Sequence, residues 1–202
     1  LLRSLLTHSC VERGLDWRAG GADYHEGMVD MVGFTSLADS LTAVRRVVFE
    51  ERRLSLADLR DLLVRNWAGK EELRSYCLNR VPKFGNDDPR ADELQARWLE
   101  RVNEWLFRQQ TWRGGHWGLD IGGSSGAVIM GKSTGATPDG RRAGEPLADS
   151  GGPAQGRDRS GLTAVLRSME RLPMREIHGP VVLDLRIPRE GVQREKLGAL
   201  LR

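Results

Sequence analysis

The chain has 202 residues, of which 39% are hydrophobic and 29% charged, with a formal net charge of +3. This length is enough for one domain with a real core, and the composition is that of a soluble globular protein. Arginines alternate with acids along helix-like stretches such as VFEERRLSLADLRDLLVR, which describes an ion-paired solvated face more than the clustered basic surface of a nucleic-acid binder, and no apolar run reaches membrane-spanning length; neither a nucleic-acid nor a membrane partner is expected.

The first half reads as helical. From Asp39, DSLTAVRRVVFEE sets Leu41, Val44, Val47 and Val48 along one side, with Asp39 or Ser40 as the cap. Ser55 with Asp58 gives an S-x-x-[DE] start for a second helix whose stripe is Leu56, Leu59, Leu62 and Leu63. A third runs from Lys70 to about Asn79. RVPKFGNDDPR then breaks the pattern, because Pro82, Gly85 and Pro89 oppose a continuing helix. Pro89 suits the first turn of the next helix, and Asn86, Asp87 and Asp88 suit its cap. That helix extends to about Gln110, with Leu94, Trp98, Val102 and Trp105 at helical steps; Trp67, Trp98 and Trp105 are expected in the core.

The second half changes character. Residues 114–161 hold fourteen of the 24 glycines. A stretch this long without regular structure is expected to be a functional loop region or to pack against other elements. HWGLDI suits a short strand, LTAVLRSMERL a helix, and GPVVLDLRIP, with Val182, Leu183, Leu185 and Ile187, is the clearest strand. Cys10 and Cys77 lie far apart with no C-x-x-C, so free thiols in a reducing, cytoplasmic compartment are expected. The chain starts at Leu1 rather than Met and stops at EKLGALLR within an apparent amphipathic helix, so a piece of a longer protein is expected.

Two short motifs compete for attention. GAVIMGKS, Gly126 to Ser133, fits the phosphate-loop pattern G-x-x-x-x-G-K-[ST]. That loop needs a helix starting at the Lys-Ser pair, whereas Gly135, Pro138 and Gly140 follow, and the apolar AVIM inside the loop would be wasted on phosphate. GGSSG, Gly122 to Gly126, fits the nucleophile elbow G-x-S-x-G. The elbow needs strand, turn and helix, and Gly126 leads instead into a β-prone run. A serine hydrolase using Ser124, with an Asp and His178 following in order, therefore stands only as an alternative. No metal site is expected: His8, His25 and His116 lack H-E-x-x-H or paired-cysteine spacing.

Longer stretches carry a more specific signal. GKSTGATPDGRRAGEPLADSGGPAQGRDRSGLTAVLRSMERLP follows a pattern close to G-x-x-T-G-x-T-P-D-G-R-x-A-G, then a Gly/Pro-rich turn, G-x-D and T-A-x-x-x-S. Upstream, in order, stand GGADYHEGMVDMVGFTSLADSLTAVRRVVFEE, VPKFGNDDPRAD and RGG at Arg113–Gly115, with GPVVLDLRIP downstream. Together, over nearly the whole chain, these resemble the glycyl radical enzymes, the pyruvate formate-lyase and dehydratase superfamily. GGADY and PKFGNDD look closer to its dehydratase-like branch.

The resemblance implies an α/β fold, part of a barrel of two half-barrels, with residues 1–202 a partial pyruvate formate-lyase-like domain: 1–112 a mostly helical scaffold, 113–202 Gly-rich loops, a helix and a barrel strand. It implies radical cleavage of C–O, C–C, C–N or C–S bonds in a small-molecule substrate, in an anaerobic cytoplasm. The full-length protein is implied to be a homodimer carrying an organic glycyl radical installed by a radical S-adenosylmethionine activating enzyme, with no cofactor bound by this segment. The family's radical glycine lies in an R-V-x-G-Y-like motif and its catalytic cysteine in G-C-x-E; neither occurs here. Cys10 and Glu12 copy the cysteine–carboxylate spacing but sit too close to Gly20–Tyr24, so they stand as a minor alternative and no catalytic residue is assigned. A segment without both carriers is expected to be inactive alone; a noncatalytic, partner-binding remnant is the alternative.

The remaining site candidates are loop residues. Thr137, Pro138, Asp139, Gly140 and Arg141 read first as a tight turn, with Asp139 accepting local N–H bonds and Arg141 tying carbonyls. The sharper expectation puts them, with Gly151, Gly152 and Pro153, beside a buried barrel cavity, where glycine lets backbone approach a ligand.

Overall fold

A computed structural model describes residues 2–122 and 125–185. Two short helices, α1 (Leu2–Leu5) and α2 (Cys10–Arg13), lead to strand β1 (Gly27–Asp30) and then to α3 (Phe34–Val44). α3 continues into a π-helical segment, Arg45–Glu50, before α4 (Leu56–Val64), α5 (Glu71–Asn79) and α6 (Pro89–Phe107). Strand β2 (Trp117–Asp120), α7 (Gly126–Ser133) and α8 (Leu162–Glu170) complete the order.

β1 and β2 run parallel, in a register that pairs Gly27 with Trp117 and Asp30 with Asp120. Parallel neighbours need a long crossover, supplied here by α3 to α6. A third stretch joins on the far side of β2: Ile121 N donates to the Pro180 carbonyl at 3.0 Å and Val182 N to the Ile121 carbonyl at 3.1 Å. The strand expected over 179–188 is thus reduced, within the described residues, to a parallel bridge at Val181; residues 186–188 lie outside them.

Helix starts follow local chemistry. Ser55 and Asp58 form the reciprocal capping box of α4, and Asp88 caps α6 through the Arg90 N–H with Pro89 in the first turn. α3 begins five residues earlier than Asp39, capped by Gly33 in the left-handed region. Asp39 and Ser40 are therefore mid-helix and buried, because phenylalanine and small residues from Phe34 onward extend the inward face.

Two hydrophobic clusters form. One gathers Phe34, Phe84, Leu99, Leu119, Ile121 and Val165 between α3, α6, the strands and α8. The other packs Val47, Leu59, Leu62, Cys77 and Val81 around Trp67, which is 0% exposed. Trp98 and Trp105 do not join them, at 38% and 62% exposed. α6 instead buries Ala91, Asp92, Gln95, Leu99, Asn103 and Leu106, a face rotated from the tryptophan stripe. Polar and small residues win that face because Asp92 and Asn103 find partners there. The run after Gly126 is helix, not strand: α7 turns Ala127 and Gly131 inward, where the Leu147 N–H meets the Ala127 carbonyl at 3.1 Å, and leaves Val128, Ile129 and Met130 exposed.

Candidate functional site

The Thr137–Arg141 loop packs against α3, α5 and the Lys83 segment, with Asp139, Gly140 and Arg141 buried and Thr137 and Pro138 half-buried. Thr137 N donates to the Arg141 carbonyl and Gly140 N to the Thr137 carbonyl, closing a tight turn. Gly140 sits at φ +101°, and a Cβ there would meet Leu78 Cγ at 2.5 Å, so both the backbone and the space demand glycine. Asp139 Oδ1 accepts from Thr137 Oγ1 at 2.5 Å and from Ser40 Oγ and Arg141 N at 3.4 Å. Lys83 Nζ donates to the Asp139 carbonyl at 3.2 Å.

Arg141 works inward on the loop itself. Its Nε donates to Thr137 Oγ1 at 3.2 Å and its Nη1 to the Glu145 carbonyl at 2.6 Å; its Nη2 reaches the carbonyls of Thr134 and Gly135. Burial pulls its guanidinium below the ordinary arginine value, opposed by the charges of Asp139 and Glu145. A guanidinium bound to this many carbonyls positions the loop; it has little left for a ligand.

Asp39 closes the cluster from α3. Its Oδ1 accepts the Phe84 N–H at 2.9 Å, while Oδ2 is buried with no hydrogen-bond partner. Burial pushes this carboxyl up to about 7, against the opposing pull of the Lys83 charge and the Phe84 N–H. On the other side of Phe84, Asp92 is 0% exposed and takes Ser168 Oγ at 2.8 Å and Arg171 Nη1 at 2.7 Å, fastening α6 to α8.

Asp139 and Arg141 line a cavity of about 200 Å³ together with Ser36 and with Ala154, Gln155 and Arg157 of the following loop. Gly152 and Pro153 line a different one, about 300 Å³, with Asp149, Gln155, Asp158 and Asp184. Gln155 stands between them. Gly151 is buried, its N–H on the Val182 carbonyl at 2.9 Å, and a Cβ there would lie 2.5 Å from Val181 Cγ1. The two loops are thus joined by shared cavity walls.

Cys10 is buried at 2% exposed and Glu12 is exposed; neither lines these cavities. Ser124 lies outside the described residues. No group of three or more metal-capable side chains occurs among the described residues. Sequence reading passed over Ser36, Lys83, Gln155 and Arg157, and it took Asp39 for a cap. The signal available for Lys83 was its place beside a Phe–Gly turn, which local patterns cannot link to Asp139.

A family model described as pyruvate formate lyase-like matches residues 1–131. The chain belongs to this family. Within it the glycyl radical enzymes are the matched group. A probable dehydratase, YbiW of Escherichia coli (strain K12), is 36% identical over 100% of this chain and 26% of its own length. Trans-4-hydroxy-L-proline dehydratase of Clostridioides difficile is 31% identical over 96% of this chain and 25% of its own. The crystal structure of a glycyl radical enzyme from Archaeoglobus fulgidus superposes with a TM-score of 0.90 at 31% identity, over 99% of this chain and 26% of that one. This member of the pyruvate formate lyase-like family therefore spans about a quarter of the length of the relatives it matches, and its mixed helix and parallel strand form part of their α/β barrel. No helix among the described residues is long and apolar enough to cross a membrane.

Proposed function

We propose that residues 1–202 are a barrel-wall portion of a glycyl radical enzyme of the dehydratase or lyase type. The observation that supports this is the match to a probable dehydratase and to a trans-4-hydroxy-L-proline dehydratase across 100% and 96% of the chain. In this reading 1–112 is the helical scaffold and 113–202 supplies the glycine-rich loops, a helix and a barrel strand. The Thr137–Arg141 loop shapes the wall from behind, since Arg141 is turned onto carbonyls and the Asp139 carboxylate onto hydroxyl and N–H donors. Gly151, Gly152 and Pro153 are the portion where backbone approaches the reaction chamber.

The chain holds neither R-V-x-G-Y nor G-C-x-E, so no residue in it is assigned the radical or the hydrogen transfer, and the segment alone does not catalyse. In the whole protein, a radical S-adenosylmethionine activating enzyme generates the glycyl radical, the substrate is a small molecule, the assembly is a homodimer and the compartment is an anaerobic cytoplasm. The reading is tested by expressing the full reading frame that contains this chain. After anaerobic activation, a glycine-centred doublet in electron spin resonance and turnover of a hydroxylated small molecule are expected. A full frame without both radical-carrier motifs, and without that doublet, replaces the enzyme with a noncatalytic relative of the same fold.

A further inference from the structure

Two guanidinium groups converge on one neutral oxygen at the C-terminal end of α5. Arg159 Nη2 donates to Asn79 Oδ1 at 2.6 Å. Arg157 Nη1 donates to that same oxygen and to the Leu78 carbonyl, each at 3.3 Å. Neither arginine forms an ion pair among the described residues, although eleven other arginines there do. Like charges set one hydrogen bond from a shared atom repel, and a carboxylate is the usual remedy. Asn79 is neutral and supplies none.

These side chains wall a cleft of about 210 Å³ that also includes Lys83 and Ser160. One carboxylate, Asp88, shares the wall. It is already taken by Arg90, through Nε at 2.9 Å, Nη2 at 2.6 Å and the backbone N–H at 3.0 Å. Both Arg157 and Arg159 keep donors free. Arg157 uses only Nη1 and Arg159 only Nη2 for side-chain bonds. A guanidinium with free donors is a fork for tetrahedral or planar oxyanions. The volume suits an ion of a few heavy atoms and is below the range of pockets that hold nucleotide-sized ligands.

We propose that this cleft binds a small multivalent oxyanion, phosphate or a compact phosphomonoester, between Arg157 and Arg159. The bound ion neutralises both guanidiniums and ties the 157–160 loop to the end of α5. The site is separate from the cavities of the two glycine-rich loops apart from Leu78 and Arg157, which line the 200 Å³ one as well. It requires no radical chemistry, so its test stands apart from that of the enzyme reading.

The test is calorimetric titration of the full-length protein with potassium phosphate and with methyl phosphate, against potassium chloride at equal ionic strength. Wild type is expected to show saturable binding of phosphate or its monoester and none of chloride; the tighter of the two names the source. Arg159→Gln is expected to weaken binding by about tenfold or more, with Arg159→Lys between the two, because a charge-assisted bond and the fork are lost in turn. Hydrogen exchange on the wild type supplies a second measurement that needs no variant: phosphate is to slow exchange in 78–80 and 157–160. Equal heats for chloride and phosphate, unchanged affinity in Arg159→Gln, or protection confined to other segments would overturn the assignment.

Discussion

Replacing Asp39 by Asn should remove a pH dependence that the buried cluster builds into the Thr137–Arg141 region. In the closed structure the Asp39 carboxyl titrates at about 7; once opened to water it returns toward its ordinary 3.8. Between those values the closed form holds more protons, so raising the pH weakens it. The contribution is fully present below 3.8 and is lost as pH rises through 7. From pH 5 to pH 7 the linkage amounts to about 2 kcal/mol, or roughly fifty-fold in the local opening constant. Asn keeps an oxygen for the Phe84 N–H but carries no titratable proton. Asp92, Asp139 and Lys83, the charges that face Asp39, are present in both proteins and cancel in the comparison. Native-state hydrogen exchange of peptides covering 83–85 and 137–141 measures the effect as a wild-type to Asp39→Asn protection ratio at each pH. That ratio is expected to fall by about fifty-fold from pH 5 to pH 7. A ratio constant within about threefold would refute the claim that burial, rather than the nearby Lys83 charge, governs this carboxyl.

Four further outcomes follow from the same geometry. Gly140→Ala is expected to cost about 2 kcal/mol or more, because the new Cβ meets Leu78 in a left-handed backbone, and the thermal midpoint should drop accordingly. Arg141→Lys retains charge but cannot hold the carbonyls of Glu145, Thr134 and Gly135 together; about 2 kcal/mol is expected, with faster exchange in 134–147. Arg171→Ala leaves Asp92 buried with Ser168 alone, and a loss of about 3 kcal/mol in denaturant unfolding is expected at neutral pH. Leu99→Ala should cost about 3 kcal/mol, whereas Trp105→Gln should cost under about 1 kcal/mol; the reverse order would put the tryptophan face of α6 inward.

What was legible in the sequence was whatever chemistry is local. The α4 capping box, the Asp88–Pro89 start of α6 and the Thr137–Arg141 turn each use partners within a few residues, and each appears where it was read. The face of α6 was not legible. Tryptophans at helical spacing look like core, yet the deciding contacts are Gln95 to Thr35 and Asn103 to the Glu176 carbonyl, which no period in α6 contains. α7 misleads for the opposite reason: its apolar run resembles a strand because its inward positions, Ala127 and Gly131, are chosen for small size rather than hydrophobicity.

The glycine-rich half shows how these two kinds of information combine. Its turns are local, but the groups that seat them come from far away in sequence. Ser36 Oγ receives the Ala148 N–H across 112 residues, Ser40 Oγ meets Asp139 across 99, and Lys83 reaches the Asp139 carbonyl across 56. A loop of this length would ordinarily lose order to its own chain entropy. Here buried polar groups on α3 and beside Phe84 accept or donate each of these bonds, so the loop is seated by long-range partners rather than by a regular ladder. That arrangement also explains why the quoted motifs occur as a set. TPDGR makes a turn by itself, but it becomes a wall only where the DSL of α3 and the PKFG segment stand behind it. A chain carrying TPDGR without the other two would keep the turn and lose the side chains that seat it.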